Sequence, residues 1–309
     1  MMFGYFEMIP RQLFRSLHAN YLLCYSSKKT LLGKLRRKTG YTFVNCKKAL
    51  ELHDNDIEKA ELWLKEQAQA QGWTQATKLQ SRVTTQGLIA MITNENHGAL
   101  VEVNCETDFV ARNKKFHDLT ETVVSSVLKH GMTMESKALV AKSMLYTEFL
   151  NSLPAGDGKT LADHSALTIG SIGENINIKR ALCMSVQPGV QLYGCTHPNP
   201  VNPVPSSFGR YGALVAIRSK VKNPMVGLQL CQHVIGMNPI KIGDPKVDEP
   251  HDDIEDEQVM LYQEFLLDHT ISIQQLLETE QIEIVDFARF EIGEPIERDE
   301  TLDAIETCG

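Results

Sequence analysis

Apolar residues recur at helical spacing in the first quarter of the chain and at strand spacing after it. Leu31, Leu32 and Leu35 form one stripe, with Ser26 or Ser27 placed to cap it and Gly40 to end it. Phe43, Val44, Cys46, Ala49 and Leu50 form a second stripe behind Thr42. Ile57, Ala60, Leu64 and Ala68 form a third. It opens at Asn55, with Glu58 at capping-box spacing, and closes at Gly72. Helices this short cannot each bury a face alone, so the pattern predicts a three-helix bundle over 28–72. Residues 73–86 are polar with weak periodicity and read as a linker, helical in part.

Beyond Gly87 the period changes to two. Leu88–Ile92 and Ala99–Val103 are strand-like runs joined by the turn residues 94–98. A helix follows over 114–129, with Phe116, Leu119, Val123, Val124 and Val127 inward. The sequence His97-Gly98-Ala99-Leu100-Val101 is echoed by Tyr211-Gly212-Ala213-Leu214-Val215. The echo is also followed by a helix, over 224–234. Each half ends on a late strand, at 177–182 and 285–290. Two copies of a hairpin-helix-strand unit predict an α+β core with antiparallel sheets, in subdomains 87–190 and 191–309. Residues 244–258 carry Asp248, Glu249, Asp252, Asp253, Glu255, Asp256 and Glu257 and read as a solvated acidic loop.

Composition narrows the function. The formal net charge of −8 argues against a general nucleic-acid binder. No stretch approaches the roughly 20 apolar residues that span a bilayer. Basic residues crowd the beginning, where Glu7 is the only acid before Glu51. Residues 1–27, acid-poor with Arg11 and Arg15 among Phe and Leu, follow the transit-peptide pattern. They predict import into the mitochondrial matrix and cleavage between about Tyr21 and Lys29. The seven scattered cysteines include no C-x-x-C pair, and no His stands at metal-finger spacing, so no metal site or cofactor is expected. Free thiols suit a reducing compartment.

Catalytic motifs are absent. The chain has no phosphate-binding loop, no dinucleotide fingerprint and no nucleophile elbow. One segment stands out, Glu102 to Asn113, between a buried strand and a helix. Such loops carry binding residues. By residue type alone, Phe109 is either exposed beside Asp108 or tucked into the core behind a cap at Thr107 or Asp108.

Val103-Asn104-Cys105-Glu106-Thr107-Asp108-Phe109-Val110 resembles the V-N-C-x-T-D-F-V signature of the elongation factor Ts family. Leu35-Arg36-x-x-Thr39-Gly40, Cys46-Lys47-Lys48-Ala49-Leu50 and Asp56-Ile57-Glu58-Lys59-Ala60 with Trp63-Leu64 are similar to its first domain. Ile172-Gly173-Glu174-Asn175-Ile176 and Phe290-Glu291-Ile292-Gly293-Glu294 resemble its later motifs. The matches run in the family's order from about 31 to 297.

The resemblance implies a ubiquitin-associated-like helical domain before a two-subdomain core. It implies a guanine-nucleotide exchange factor rather than an enzyme, with elongation factor Tu as partner and no nucleic acid or membrane. Thr107, Asp108, Phe109 and Val110 would disturb the partner's Mg²⁺ site. Arg36, Lys47, Asn104 and His197 would add contacts. Two departures stand out. The long helical insertion of bacterial members is replaced by the acidic stretch, as in mitochondrial members. The family's Tyr-x-His-Gly reads Cys195-Thr196-His197-Pro198, which separates His197 from its usual setting. The rival readings are a ubiquitin-type adaptor, on the first three helices alone, and an unrecognised matrix enzyme using scattered acids.

Overall fold

The computed structural model describes residues 31–39, 41, 43–134, 137–198 and 206–296, and for 68–71 the backbone only. The expected leader at 1–27, the caps at Ser26, Ser27 and Thr42, and the stop at Gly40 lie outside the described residues.

Helix α1 (31–39), α2 (Phe43–Leu52) and α3 (Ile57–Leu79) close over a small core of Leu35, Cys46, Ala49, Leu50, Ala60 and Leu64. Two boundaries differ from the sequence reading. The cap of α3 is Asp56, not Asn55: its carboxylate accepts the amides of Glu58 and Lys59. Asn55 instead takes a positive φ of 63° in the turn before it, a conformation Asn tolerates. Nor does α3 stop at Gly72. It runs on to Leu79 and replaces half of the expected linker, because Gly72 is where α3 crosses another helix. A Cβ there would strike the backbone carbonyl of Ala166. The missing side chain serves packing, not termination.

The core begins at β1 (Gln86–Thr93) and β2 (His97–Cys105), a hairpin whose turn is held by Asn94 Oδ1 accepting the amides of Asn96 and His97. There follow α4 (Asp108–Ala111), α5 (Lys114–Gly131), β3 (Val140–Tyr146), α6 (Thr147–Ser152), α7 (Leu161–Ile172) and β4 (Ile176–Val186). The second half comprises β5 (Val190–His197), β6 (Ser206–Gly209), β7 (Tyr211–Ser219), α8 (Pro224–Met237), a short β8–β9 hairpin (Glu264–Phe265, Asp268–Ser272), α9 (Ile273–Glu280) and β10 (Ile282–Glu291). One antiparallel sheet has the order β3-β4-β2-β1-β6 and the other β10-β7-β5. The echo is visible in this order. β2 lies between β1 and β4 in the first sheet, and β7 lies between β5 and β10 in the second.

Period-two alternation builds the layers. Ala99, Val101 and Val103 of β2 face α5 and α7. Ala213, Val215 and Ile217 of β7 face α8 and α9. The opposite faces meet each other through Ile89, Leu100, Met184, Leu192, Leu214 and Phe290. The fold is therefore helix, sheet, sheet, helix, an α+β arrangement. The repeated glycines sit at the contact between sheets. A Cβ on Gly98 would lie 3.0 Å from Leu214 Cδ2, and one on Gly212 would lie 3.0 Å from Leu100 Cδ2.

The acidic stretch is not uniformly solvated. It is irregular apart from one 3₁₀ turn, Ile254–Asp256, but its acids hold it in shape. Asp248 pairs with Lys241 at 2.5 Å and accepts the Asp244 amide. Glu257 is buried and accepts the amides of His251 and Val259, both at 2.7 Å.

Candidate functional site

The end of β2 delivers the chain to a single exposed helical turn. Cys105, the last strand residue, pairs with Ile176, the first of β4. Beyond that pair the ladder stops. Thr107 takes an extended conformation and caps α4, its hydroxyl accepting the Val110 amide at 3.3 Å. Within the turn the side chains divide. Val110 and Ala111 are 6% and 8% exposed and belong to the core under α5. Phe109, between them and solvent, is 80% exposed. Asp108 lies beside it, paired with Arg112 at 3.1 Å across an exposed i,i+4 step. Asn113 then caps α5 by accepting the Lys115 amide. Two caps six residues apart, Thr107 and Asn113, keep the turn separate from the next helix.

The base of the turn is bound by acids. Glu174 accepts the Thr107 amide at 3.2 Å and the Thr107 hydroxyl at 3.0 Å. Glu106 accepts the Asn175 amide at 2.7 Å and pairs with Arg82 at 3.3 Å. Asn175 Nδ2 donates to the Arg82 carbonyl. Cys105 Sγ donates to the Thr107 carbonyl at 3.2 Å. Burial, and secondly the charge of Glu174, push that thiol up to about 12. It stays protonated at neutral pH and is a donor rather than a nucleophile.

The four tip residues are thus together on one turn, and the other expected contacts are elsewhere. Asn104 is 1% exposed and donates to Glu102 at 3.2 Å. In this structure it is an interior residue. Its place on β2 puts it on the same face as Glu102, beside Lys179 and Gly293. Arg36 and Lys47 are exposed on α1 and α2. The Arg36 guanidinium lies 4.7 Å over the Phe43 ring, and Lys47 stands 3.8 Å from Glu51. His197 is exposed at the end of β5, before a cis bond to Pro198. With Tyr211 and Arg289 it borders a cleft in the second sheet. Among the described residues no group of three or more His, Cys, Asp or Glu is placed to hold a metal ion. No described helix is long and apolar enough to cross a membrane.

One cluster had no role in the sequence reading. Glu102 is fully buried. It meets Arg180 at 2.7 Å, Lys179 at 3.2 Å and the Gly293 amide at 2.9 Å. Arg180 also pairs with Glu294 at 2.9 Å. The late motif Phe290 to Glu294 is thus the strap that ties the last strand to the first sheet. The signal available in the sequence was an acid in the middle of a buried strand.

Comparison with known proteins places these features. A family model described as "Elongation factor Ts, mitochondrial, N-terminal" matches residues 14–74, and one described as "Elongation factor TS" matches 106–256. The mitochondrial elongation factor Ts of Aedes aegypti is 48% identical over 286 residues, covering 91% of this chain and 93% of the relative. That of Drosophila melanogaster is 42% identical over 312 residues, covering 96% and 97%. That of Homo sapiens is 43% identical over 284 residues, covering 89% and 86%.

Proposed function

This chain belongs to the elongation factor Ts family, and we propose that it binds elongation factor Tu and speeds release of GDP by disturbing the Mg²⁺ site of that partner. It acts in translation elongation in the mitochondrion, as the names of its relatives indicate. The observation that carries the proposal is Phe109, a large apolar ring left 80% in solvent on a turn whose neighbours are anchored in the core. An exposed aromatic beside a carboxylate on a rigid support is a contact residue in want of a partner.

The physics is linkage. If the factor weakens GDP binding by some ratio, GDP weakens factor binding by the same ratio. The factor need only stabilise a partner conformation that holds GDP poorly. A P-loop GTPase holds Mg²⁺ between phosphate oxygens and a few side chains, in near-ideal octahedral geometry. Displacing a single ligand loosens both metal and nucleotide. In this reading the Phe109 ring wedges between partner elements, Asp108 perturbs groups near the metal, and Thr107 and Val110 hold the turn. No bond is made or broken, so the activity is not enzymatic in the chemical sense. The basic residues Arg36 and Lys47 supply a second, steering contact. His197, on a different sheet, supplies a separate one.

The test is release of labelled GDP from mitochondrial elongation factor Tu with and without this protein, across Mg²⁺ concentrations. Faster release that slows as Mg²⁺ rises supports the proposal. Release at the spontaneous rate, at protein concentrations that bind the partner, rejects it.

A further inference from the structure

We infer that Glu174 is a positioning residue for the Asp108–Phe109 tip, fixing the direction of the exposed ring through Thr107. The inference rests on the reading of that tip given above. It starts from the donor and acceptor inventory of one hydroxyl. As the cap of α4, Thr107 Oγ1 spends a lone pair on the Val110 amide. Its single proton must then be donated elsewhere. It goes to Glu174, at 3.0 Å to one oxygen and 3.1 Å to the other. The Thr107 amide goes to the same carboxylate. Bonds of this kind, to an ionised acceptor, are the stronger class.

The arrangement is reciprocal. The step 106–107 gives an amide to the acid of step 174–175, and the step 174–175 gives an amide to the acid of step 106–107. These clasps take over where the backbone ladder ends, at the pair Cys105 and Ile176. Glu174 itself follows Gly173, whose φ of 87° ends α7, so the acid is carried on a fixed corner between helix and strand. Phe109 is aimed by its turn, the turn by its cap, and the cap by Glu174. A ring that must enter a partner in one orientation benefits from being held in it beforehand.

The experiment combines hydrogen exchange with GDP release. In Glu174→Ala, the Thr107 and Val110 amides should exchange at least about tenfold faster, a local opening, while the amides of α5 and β4 keep their protection. GDP release at saturating factor should fall by about tenfold, with the half-saturating concentration changed far less. Glu174→Gln retains an acceptor for the hydroxyl and should recover part of the loss. In a double-mutant cycle, Phe109→Ala should cost less in the Glu174→Ala background than in the parent, because both act through one ring. Unchanged protection of Thr107 and Val110, or full additivity with Phe109→Ala, overturns the inference. If Glu174→Ala fails to fold, Glu174→Gln, which keeps the Thr107 cap on Val110 intact, carries the same comparison with smaller expected changes. If Phe109→Ala alone leaves GDP release intact, the tip reading fails, and amide exchange alone decides the role of Glu174.

Discussion

The Leu100 side chain fills the space that a Cβ on Gly212 would need, and the Leu214 side chain does the same for Gly98. Each half of the molecule thus leaves a gap that the corresponding leucine of the other half occupies. Both leucines are fully buried. Gly212→Ala should therefore overpack the contact between sheets and cost about 1–3 kcal/mol. Gly98→Ala should behave alike. Chemical denaturation checks this, and an unchanged midpoint would show that the sheets slide apart freely.

Phe109 and Phe116 offer a contrast within one stretch of chain. Phe109 is 80% exposed, whereas Phe116 is fully buried under the first sheet. Phe116→Ala should cost about 3–5 kcal/mol. Phe109→Ala should change stability by no more than about 0.5 kcal/mol and still abolish most GDP release. Melting and exchange assays on the same two preparations separate the cases. A large stability loss in Phe109→Ala would mean the ring is interior.

Glu102 is the most heavily partnered acid in the described structure that is also fully buried. Removing Glu102 takes from Arg180 and Lys179 their buried counter-charge and leaves Arg180 with Glu294 at the edge of the cluster. Glu102→Ala should cost about 3–5 kcal/mol. Arg180→Leu should cost a comparable amount, and the double variant less than the sum. Urea titration of the three variants measures this directly, and simple additivity would contradict it.

His233 supplies a pH dependence. It is fully buried in α8, with Nε2 at 3.1 Å from Gln263 Oε1 and Nδ1 accepting the Leu266 amide. Burial pushes the imidazole down to about 4, against a smaller upward pull from Gln263. The unfolded chain, titrating near 6.5, binds the proton more readily than the folded one. Stability from this group is complete above about pH 6.5 and is lost as the pH falls towards 4, by about 3 kcal/mol in all. Denaturation midpoints at pH 7 and pH 4.5 should differ in the parent and differ less in His233→Gln.

The helical domain should govern approach rather than exchange. Arg36 and Lys47 are exposed and only weakly engaged within the chain. Reversing both, to Arg36→Glu and Lys47→Glu, should slow association with the partner several-fold at low salt and flatten its salt dependence. The maximal GDP-release rate should be unchanged. Stopped-flow association at two ionic strengths makes the measurement.

Much of this architecture was legible in advance, for identifiable reasons. Strands β1, β2, β7 and β10 announced themselves because alternation on a sheet buried on both faces is dense in Val, Leu and Ile. Helix α5 had a clear stripe. What failed was local punctuation. Gly72 looks like a stop because glycine usually ends helices, yet the same missing Cβ also permits a close crossing, and sequence cannot tell the two apart. Asn55 and Asp56 are both good caps, and only the backbone decides which one takes the extended conformation. Asn104 lies inside the family signature, but its position on the strand turns it inward. The exposure of Phe109 was undecidable from residue type. The Thr107–Glu174 and Glu106–Asn175 bonds join residues 67 and 69 positions apart, beyond the reach of any local pattern.

The strap that ends in Gly293 has a consequence for how the chain is made. The Glu102 carboxylate accepts the Gly293 amide across 191 residues. At a synthesis rate of about 5–20 residues per second, the acid leaves the ribosome roughly 10–40 s before that partner exists. During the interval the first sheet has its hairpin and later its Lys179 and Arg180, but not the strap, and its inner face meets β5 and β7 before β10 exists. The two matched halves are therefore not finished parts delivered one after the other. The first half stays incomplete until the last strand arrives, its inner face covered stepwise by β5, β7 and then β10.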